Sequence, residues 1–476
     1  MILRFLRLQT WAVVACCASL SAVATKAAPA AESNWPQWRG PLQNGVAPHG
    51  EPPTEWSETK NVKWKVKIPG EGHSTPIIWG DKIFVVSAIP TGKKPATAAA
   101  PAATAPPAAP PPAEPGKPPG GRGGRGGRGG MGGGPSNEIY QWTVLCLDRG
   151  TGRILWQKTA REEVPHEGRQ PTNTYASYSP VTDGEQLYVS LGSWGVYCYD
   201  LNGNLKWERD LGKMSTIMGF GEGGSPALHQ GKLIINWDHL GDDFITALDT
   251  KTGKTVWKTD RHEPTTWATP LIVEHGGIAQ AIVGATDKTR CYDLATGKQI
   301  WECEGLTANT IPSPVAGHGM IYAMGGFRGS KLLAVRLGGT GDLTGTDAIV
   351  WRHEKSTPYV PSPLLYDELL YFFASNNAML SCFEARTGKP LIDAERIEAL
   401  QGGAQGPAVY ASPVGARGRV YLVGRNGTTL VINKSEKLEP IATNKLDDRF
   451  DASPAIVGKE LFLRGRENLY CLTEKP

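Results

Sequence analysis

Short apolar runs typical of β-strands recur along this chain, and turn residues bound each of them. After Ser225-Pro226 the stretch ALHQGKLIINW holds two such runs around a turn. DFITALD holds a third run, and KTVWKTD holds a fourth after a Thr-Gly-Lys turn. Short runs separated by Gly, Asn and Asp predict strands joined by tight turns. This stretch therefore predicts one unit of four antiparallel strands.

Two landmarks show that the unit is repeated. The turn between the third and fourth runs recurs as CLDRGTGRILW, CYDLNGNLKW, ALDTKTGKTVW and CYDLATGKQIW. Ser-Pro or Thr-Pro stands before the first run of eight units, at Thr75-Pro76, Ser179-Pro180, Ser225-Pro226, Thr269-Pro270, Ser313-Pro314, Ser362-Pro363, Ser412-Pro413 and Ser453-Pro454. After the first interval these prolines are 41 to 50 residues apart. A period near 45 residues is typical of stacked supersecondary units.

Eight four-stranded units predict an all-β fold, an eight-bladed β-propeller of antiparallel blades. The eighth unit ends after its third run, NLYCLTEKP, and lacks a fourth run. An isolated run, NVKWKVKIPG, precedes the first unit and carries Trp64. We therefore expect residues 61–68 to complete the last blade, which would close the ring and remove the exposed edges of an open array.

The large aromatic residue after each turn is predicted to pack against the neighbouring blade. The residues with this predicted structural role are Trp64, Trp156, Trp207, Trp257, Trp301 and Trp351. Five cysteines stand two residues before the Asp or Glu of the turn, or at the equivalent place in the last unit: Cys146, Cys198, Cys291, Cys382 and Cys471. Alanine or valine fills this position elsewhere, so we expect buried, free thiols that act as small apolar residues.

The repeat ALDTKTGKTVW resembles the PQQ-like β-propeller repeat over about residues 61–476. Quinoprotein alcohol dehydrogenases and the outer-membrane assembly lipoprotein BamB share this repeat. Asp393 and Pro440 lie near the expected tryptophan positions of units six and seven, which depart from the pattern. The BamB resemblance implies a non-catalytic binding or scaffold protein of the cell envelope, with envelope proteins or polypeptide segments as partners and with no cofactor.

Two other functions remain open. One is a PQQ- and Ca²⁺-dependent dehydrogenase, but the adjacent cysteines that the resemblance implies occur only as Cys16-Cys17. A C-x-x-C-H haem motif is absent. The other is a carbohydrate or small-ligand binder that uses Tyr178, Trp194 and Trp267.

The N-terminus predicts export. Arg4 and Arg7 precede an apolar run that ends in Ala22-Val23-Ala24, so residues 1–24 are predicted to be a signal peptide. Val13-Val14-Ala15-Cys16 also permits a lipid anchor at Cys16, although the apolar run continues past it. Residues 25–60 form a Trp-rich extension, and no later run is long enough to span a bilayer. The predicted location is the periplasm or cell envelope.

The charge distribution argues against a nucleic-acid partner. The formal net charge is +4, but Arg4, Arg7 and the segment 90–137 contribute +7, so the rest carries about −3. The segment 90–137 is rich in Ala, Pro, Gly and Arg and is predicted to be a disordered insert in blade one. Its RGG runs can bind RNA, but an exported protein seldom meets RNA.

The candidate ligand-binding residues lie in loops that a propeller brings to one face, and loops often carry function. His73, Tyr178, Trp267 and Pro361 stand near the Ser/Thr-Pro landmarks and are predicted to surround the channel mouth. In HEGRQPTNTY, His166, Arg169 and Asn173 are predicted to reach the same mouth.

One loop is a candidate metal site. NWDHLGDD offers Asp238, His239, Asp242 and Asp243, and hard cations prefer several carboxylate oxygens from a compact loop. The spacing does not match an EF-hand. The alternative is a polar turn in which the aspartates accept hydrogen bonds from the backbone.

Overall fold

The computed structural model describes residues 32–95, 133–134, 136–402 and 406–474. These residues form eight four-stranded antiparallel sheets, two of which carry a fifth strand. The predicted all-β, eight-bladed propeller is confirmed. The predicted signal peptide, Cys16 and most of the insert lie outside the described residues.

The strands are short and are connected mainly by turns. In chain order they are β1 (Val46–Ala47), β2 (Val62–Lys67), β3 (Ile77–Trp79), β4 (Lys82–Pro90), β5 (Tyr140–Asp148), β6 (Ile154–Glu163), β7 (Val181–Thr182), β8 (Gln186–Ser190), β9 (Val196–Asp200), β10 (Leu205–Arg209), β11 (Ala227–His229), β12 (Lys232–Trp237), β13 (Phe244–Asp249), β14 (Thr255–Asp260), β15 (Leu271–His275), β16 (Ile278–Val283), β17 (Lys288–Asp293), β18 (Gln299–Glu304), β19 (Val315–Gly317), β20 (Met320–Gly325), β21 (Lys331–Arg336), β22 (Gly341–Asp342), β23 (Ile349–His353), β24 (Leu364–Tyr366), β25 (Leu369–Phe373), β26 (Met379–Glu384), β27 (Pro390–Arg396), β28 (Val414–Ala416), β29 (Arg419–Val423), β30 (Thr428–Asn433), β31 (Pro440–Lys445), β32 (Ala455–Val457), β33 (Glu460–Arg464) and β34 (Asn468–Leu472). Three single 3₁₀ turns span Gly192–Trp194, Ile217–Gly219 and Glu398–Leu400. Among the described residues, no helix is both long and apolar enough to cross a membrane.

The ring closes through the N-terminal strand. Blades one to seven take their strands in chain order from β3 to β31, except that β22 is an added strand on blade four. Blade eight consists of β32, β33 and β34 with β2 as its fourth strand. β2 pairs antiparallel with β34, and Trp64 lies opposite Cys471. The predicted closure by residues 61–68 is therefore confirmed.

Near the axis, neighbouring blades are joined by hydrogen bonds from the Ser/Thr-Pro landmarks. The backbone N–H of Ser179 in blade two donates to Oγ of Ser225 in blade three, at 2.9 Å. Six further bonds repeat this link around the ring: Thr75 to Ser179, Ser225 to Thr269, Thr269 to Ser313, Ser313 to Ser362, Ser362 to Ser412 and Ser412 to Ser453. The following proline has no N–H to leave unsatisfied at this crowded position.

Away from the axis, a tryptophan of one blade packs on a glycine of the next. The Nε1 of Trp257 donates to the Leu294 carbonyl at 2.9 Å, and a Cβ added at Gly297 would lie 2.5 Å from the indole. The same arrangement joins Trp64 to Gly152, Trp156 to Gly203, Trp207 to Gly253 and Trp351 to Gly388. Each of these glycines has a positive φ, which only glycine adopts readily.

The remaining three interfaces depart from this arrangement, one because the receiving turn is different and two because another residue replaces the tryptophan. Trp301 faces blade five, whose connection between β21 and β23 is long. That tryptophan is fully buried, its Nε1 has no hydrogen-bond partner among the described residues, and β22 pairs beside it. In blades six and seven, Ile392 and Ala442 lie at the tryptophan position, opposite Cys382 and Val431. Asp393 and Pro440 lie one and two residues from these positions, so the predicted departure of units six and seven from the pattern is confirmed.

The five cysteines of the repeat position are free and buried, as predicted, and so is Cys303, which lies outside that position. Cys146, Cys198 and Cys291 each lie directly opposite a packing tryptophan in the adjacent strand. A large residue there would displace the indole, which explains why this position is always small. Burial raises the pKa of the Cys146 and Cys198 thiols to about 12.

The N-terminal extension docks on the propeller and crosses the axis. Trp35 pairs with Ile78 of blade one, and the Pro36 carbonyl accepts the N–H of Thr182 in blade two. The guanidinium of Arg39 donates to the carbonyls of Pro363 and Pro413 in blades six and seven. Burial lowers the pKa of Arg39 to about 9.

The outer part of the extension continues along blade seven. There β1 pairs with β28, and Trp56 stacks on Tyr421 before the chain enters β2. The extension therefore joins the axis to the strand that closes the ring.

The tryptophan–glycine contact can be tested by a pair of glycine substitutions. Gly297→Ala should lower the free energy of unfolding by about 1 kcal/mol for its positive φ, plus about 1–3 kcal/mol because the new Cβ meets Trp257. Gly276→Ala is the control, since Gly276 also has a positive φ but nothing lies within 4 Å of its added Cβ. Urea unfolding midpoints measure both. Equal losses in the two variants would show that the contact adds no constraint.

Candidate functional site

The long connections lie on one face, which we call the loop-rich face. It is formed by the connections β6–β7, β10–β11 and β12–β13 and by the base of the insert between β4 and β5. These loops touch one another: the N–H of Gly133 at the insert donates to the Arg169 carbonyl, and that of Leu240 donates to the Ser215 carbonyl. The connections within blades on the opposite face are mostly tight turns.

An axial cavity of about 360 Å³ opens on the loop-rich face. Each blade contributes the residue two positions before its Ser/Thr-Pro serine or threonine: His73, Ser177, Gly223, Trp267, Ile311, Val360, Tyr410 and Asp451. The structure thus places His73 and Trp267 at the predicted mouth. Tyr178 and Pro361 stand one residue, not two, before their landmark serines, so Ser177 and Val360 line the cavity instead.

The cavity has an aromatic floor and rim. Trp38, on the N-terminal extension, lies at the end away from the loop-rich face. Five more aromatic residues line the wall and rim: Phe220, Trp267, Phe327, Tyr359 and Tyr410. Phe327 and Tyr359 stack on each other with ring centroids 4.7 Å apart. The wall also includes the serine and threonine residues of the Ser/Thr-Pro landmarks in blades one to five, seven and eight.

Charges at the cavity are paired within the protein. The carboxylate of Asp451 accepts a hydrogen bond from Arg425 and lies 3.4 Å from Arg449. His73 Nε2 lies 3.4 Å from Asp451. Burial, reinforced by nearby arginines and opposed by Asp451, lowers the pKa of His73 to about 4, so the ring is neutral at pH 7.

A second, smaller pocket of about 20 Å³ adjoins the cavity and contains three of the predicted residues, His166, Tyr178 and Trp194. Glu222 lies between the two spaces; it accepts bonds from the Tyr178 hydroxyl at 3.0 Å and the Ser193 hydroxyl at 2.5 Å. Burial raises the pKa of Glu222.

His166, Glu167 and Glu222 are the one group in the described chain whose ligand atoms are close enough to share a metal ion. Both carboxylates already accept hydrogen bonds from protein donors: Thr216 donates to Glu167, and Ser193 donates to Glu222.

Arg169 and Asn173 shape the mouth in different ways. Asn173 lines the cavity, and its side-chain amide donates to the Phe220 carbonyl at 3.1 Å. Arg169 pairs with Glu71 at 2.9 Å and also donates to the Asn173 carbonyl. Arg169 therefore positions the loop, and it is not among the residues that line the cavity.

In the candidate metal loop NWDHLGDD, the side chains of Asp238, His239 and Asp243 are bonded to other groups of the protein. Asp238 and Arg261 form a fully buried ion pair at 2.6 Å, and Thr266 also donates to Asp238. Asp243 accepts the N–H of Glu263, while His239 Nδ1 accepts backbone N–H groups of Ser215 and Gly241.

Asp242 is exposed. The three carboxylates of this loop do not form a close group in the described structure, so the geometry favours the alternative of a polar turn.

Several lining residues were missed from the sequence, namely Trp38, Phe220, Glu222, Phe327, Tyr359, Tyr410 and Asp451. Tyr410 and Asp451 could have been predicted, because each stands two residues before the serine of its Ser-Pro landmark, as His73 and Trp267 stand before their threonines. Phe327 and Trp38 had none, because one lies in an irregular connection and the other outside the repeats.

The partly buried, neutral His73 predicts a pH effect on stability. Its folded pKa of about 4 is below its ordinary value of 6.5, so the unfolded chain binds the proton more tightly. Its contribution is therefore present above pH 6.5 and is lost as the pH falls towards 4, by at most about 3 kcal/mol. His73→Gln should flatten the dependence of the unfolding midpoint between pH 7 and 4. The exposed His49→Gln is the control; an identical flattening there would contradict the assignment.

The comparisons with known proteins agree with the fold. A family profile described as outer membrane protein assembly factor BamB matches residues 141–390 and 241–475. Among curated proteins, none matches the chain.

Several solved structures share the architecture. Quinohemoprotein alcohol dehydrogenase from Comamonas testosteroni is similar over 94% of this chain and 82% of its own, with a TM-score of 0.58 and 9% identity. Quinohemoprotein alcohol dehydrogenase ADHIIG from Pseudomonas putida HK5 covers the same shares, with a TM-score of 0.53 and 9% identity. BamB from Moraxella catarrhalis is similar over 72% of this chain and 94% of its own, with a TM-score of 0.47 and 14% identity.

At these identities the structures show the fold alone. The family profile, in contrast, matches more than half of the chain, and both matched ranges lie within the eight-bladed propeller. The chain therefore belongs to the PQQ-like β-propeller family represented by the outer membrane protein assembly factor BamB.

Proposed function

We propose that this protein is a non-catalytic binding protein of the cell envelope that holds a polypeptide partner on its loop-rich face. Family membership supports an assembly role, because the matching profile is described as an outer membrane protein assembly factor. The predicted signal peptide at residues 1–24 supports export. The observation that carries the proposal is an exposed apolar pair on this face, Met218 and Leu240.

Met218 and Leu240 project from neighbouring loops. Their exposed fractions are 42% and 55%, and the Leu240 N–H is bonded to the Ser215 carbonyl. A contiguous exposed apolar patch rimmed by polar residues marks an interaction site. A polypeptide with an apolar side chain could bury both residues.

The loop that carries Met218 is held in a strained conformation. Met218 has φ 57°, which is unfavourable for a side chain of this size. The loop is fixed on both sides of it: before it, Thr216 donates to Glu167 and the Ile217 N–H donates to Thr265, and after it, the Gly221 carbonyl accepts the indole N–H of Trp267. Strain of this kind persists where the surroundings determine it, and it is concentrated at functional sites.

The PQQ- and Ca²⁺-dependent alternative fits the cavity poorly. PQQ carries several carboxylates, but no Lys or Arg side chain is among the cavity-lining residues of the described chain. The lining instead includes the carboxyl groups of Glu222 and Asp451, which already have protein partners. We therefore derive no step through this cofactor.

The apolar pair can be tested with a matched double variant. Met218→Ser with Leu240→Ser should weaken binding of an envelope protein retained by the wild type by at least ~10-fold, as expected when central apolar contacts are removed. The control is Leu205→Ser with Val256→Ser, which removes apolar residues of similar exposure, 50% and 45%, from the outer strands.

Quantitative affinity capture from envelope extracts, followed by titration of the retained protein, measures the effect. The proposal fails if both double variants bind that protein as tightly as the wild type does. It also fails if the outer-strand variant alone loses binding.

A further inference from the structure

The axial cavity is lined by hydroxyl groups whose hydrogens have no acceptor within the part of the chain that the structure describes. Ser179, Ser225 and Thr269 each use an oxygen lone pair to accept a backbone N–H from the preceding blade. A hydroxyl that accepts one bond still has its own hydrogen to donate. Among the described residues none of these three hydroxyls donates to the protein, and Ser313, Ser412 and Ser453 repeat the pattern.

These donors meet aromatic surfaces in the same space. Trp38 lies at the floor, and Trp267 and the stacked Phe327 and Tyr359 lie higher on the wall. The ligand that fits must therefore offer hydrogen-bond acceptors to the hydroxyl ring and apolar C–H surfaces to the aromatic rings.

The cavity lining also supplies acceptors. Asp451 and Glu222 line the cavity with carboxyl oxygens, and Gln170 adds a side-chain amide. Hydroxyl groups on a ligand could donate to these oxygens. A ligand with both donors and acceptors around its edge would bond to the hydroxyl donors and to the carboxyl and amide acceptors. A few polar groups placed in this way give a binding site its specificity.

We infer that the axial cavity binds a neutral polyhydroxylated ligand, a saccharide of one or two rings. The volume of about 360 Å³ lies within the usual range for small-molecule sites. A sugar ring has hydroxyls at its edge and C–H groups on its faces, which is the combination that the wall requires.

Other ligand classes fit less well. A purely apolar ligand would leave the inward hydroxyls without partners, at the cost of their desolvation. An anion would meet carboxyl groups and no Lys or Arg among the described lining residues. A cation could use the aromatic rings, but it would leave the hydroxyl hydrogens without an acceptor, and Asp451 is already paired with Arg425.

Calorimetric titration of the full exported chain with maltose and with cellobiose tests the inference. Saturable binding of at least one disaccharide is expected, together with a change in fluorescence from Trp38 and Trp267. Choline and inorganic phosphate are the contrasting probes. Tighter binding of either one, or no binding of either sugar, would overturn the inference.

Variants locate the site. Phe327→Ala and Trp267→Leu should each weaken sugar binding by at least ~10-fold, as loss of an aromatic contact does. Circular dichroism shows whether each variant folds. If Trp267→Leu does not fold, Phe327→Ala still tests the site, because Phe327 is only half-buried and its replacement leaves the hydrogen bonds between blades intact. Sugar affinity equal to that of the wild type in a folded Phe327→Ala protein would place binding elsewhere.

The test is independent of the proposed partner site. The double variant at Met218 and Leu240 should keep wild-type sugar affinity, because neither side chain lines the cavity. Loss of the polypeptide partner with retained sugar binding would leave this inference standing. Loss of sugar binding in that variant would contradict it.

Discussion

The geometry of the whole ring depends on one repeated hydrogen bond. In it, the backbone N–H of a Ser/Thr-Pro landmark donates to the landmark hydroxyl of the next blade. Seven such bonds run from Thr75 to Ser453. They form close to the axis, where the innermost strands converge and where water cannot satisfy every N–H. The same bonds fix the distance between blades, and therefore the width of the cavity and the positions of its hydroxyl oxygens.

The outer contacts and the ends of the chain depend on this inner ring. Trp257 on Gly297 and its equivalents fill the space that opens as the blades diverge from the axis. The step between Ser453 and Thr75 lacks the corresponding hydrogen bond in the described structure. There the chain uses other contacts: β2 completes blade eight, and Arg464 of blade eight donates to the Ser74 hydroxyl and the Val86 carbonyl of blade one.

The sequence predicted the fold well because the fold is local and repeated. Each Ser/Thr-Pro and each Thr-Gly turn marks the same place in a unit. The strands assigned in one unit can therefore be assigned at the same positions in the others. The site was predicted less well, since it depends on register and on residues outside the repeat. Tyr178 differs from Ser177 by one position, yet it faces the smaller pocket with Glu222. Asp238 looked like a ligand because its partner, Arg261, lies 23 residues away in the chain.

The two candidate sites share one loop, and its hydrogen bonds determine whether they can influence each other. Phe220 and Glu222 face the cavity, whereas Met218 faces solvent. Two sites are thermodynamically linked only if a ligand at one changes the conformations available at the other. This loop is bonded to Glu167, to Thr265 and, through the Gly221 carbonyl, to the indole of Trp267. With its backbone fixed at three points, the loop can present both surfaces at once while each binds independently.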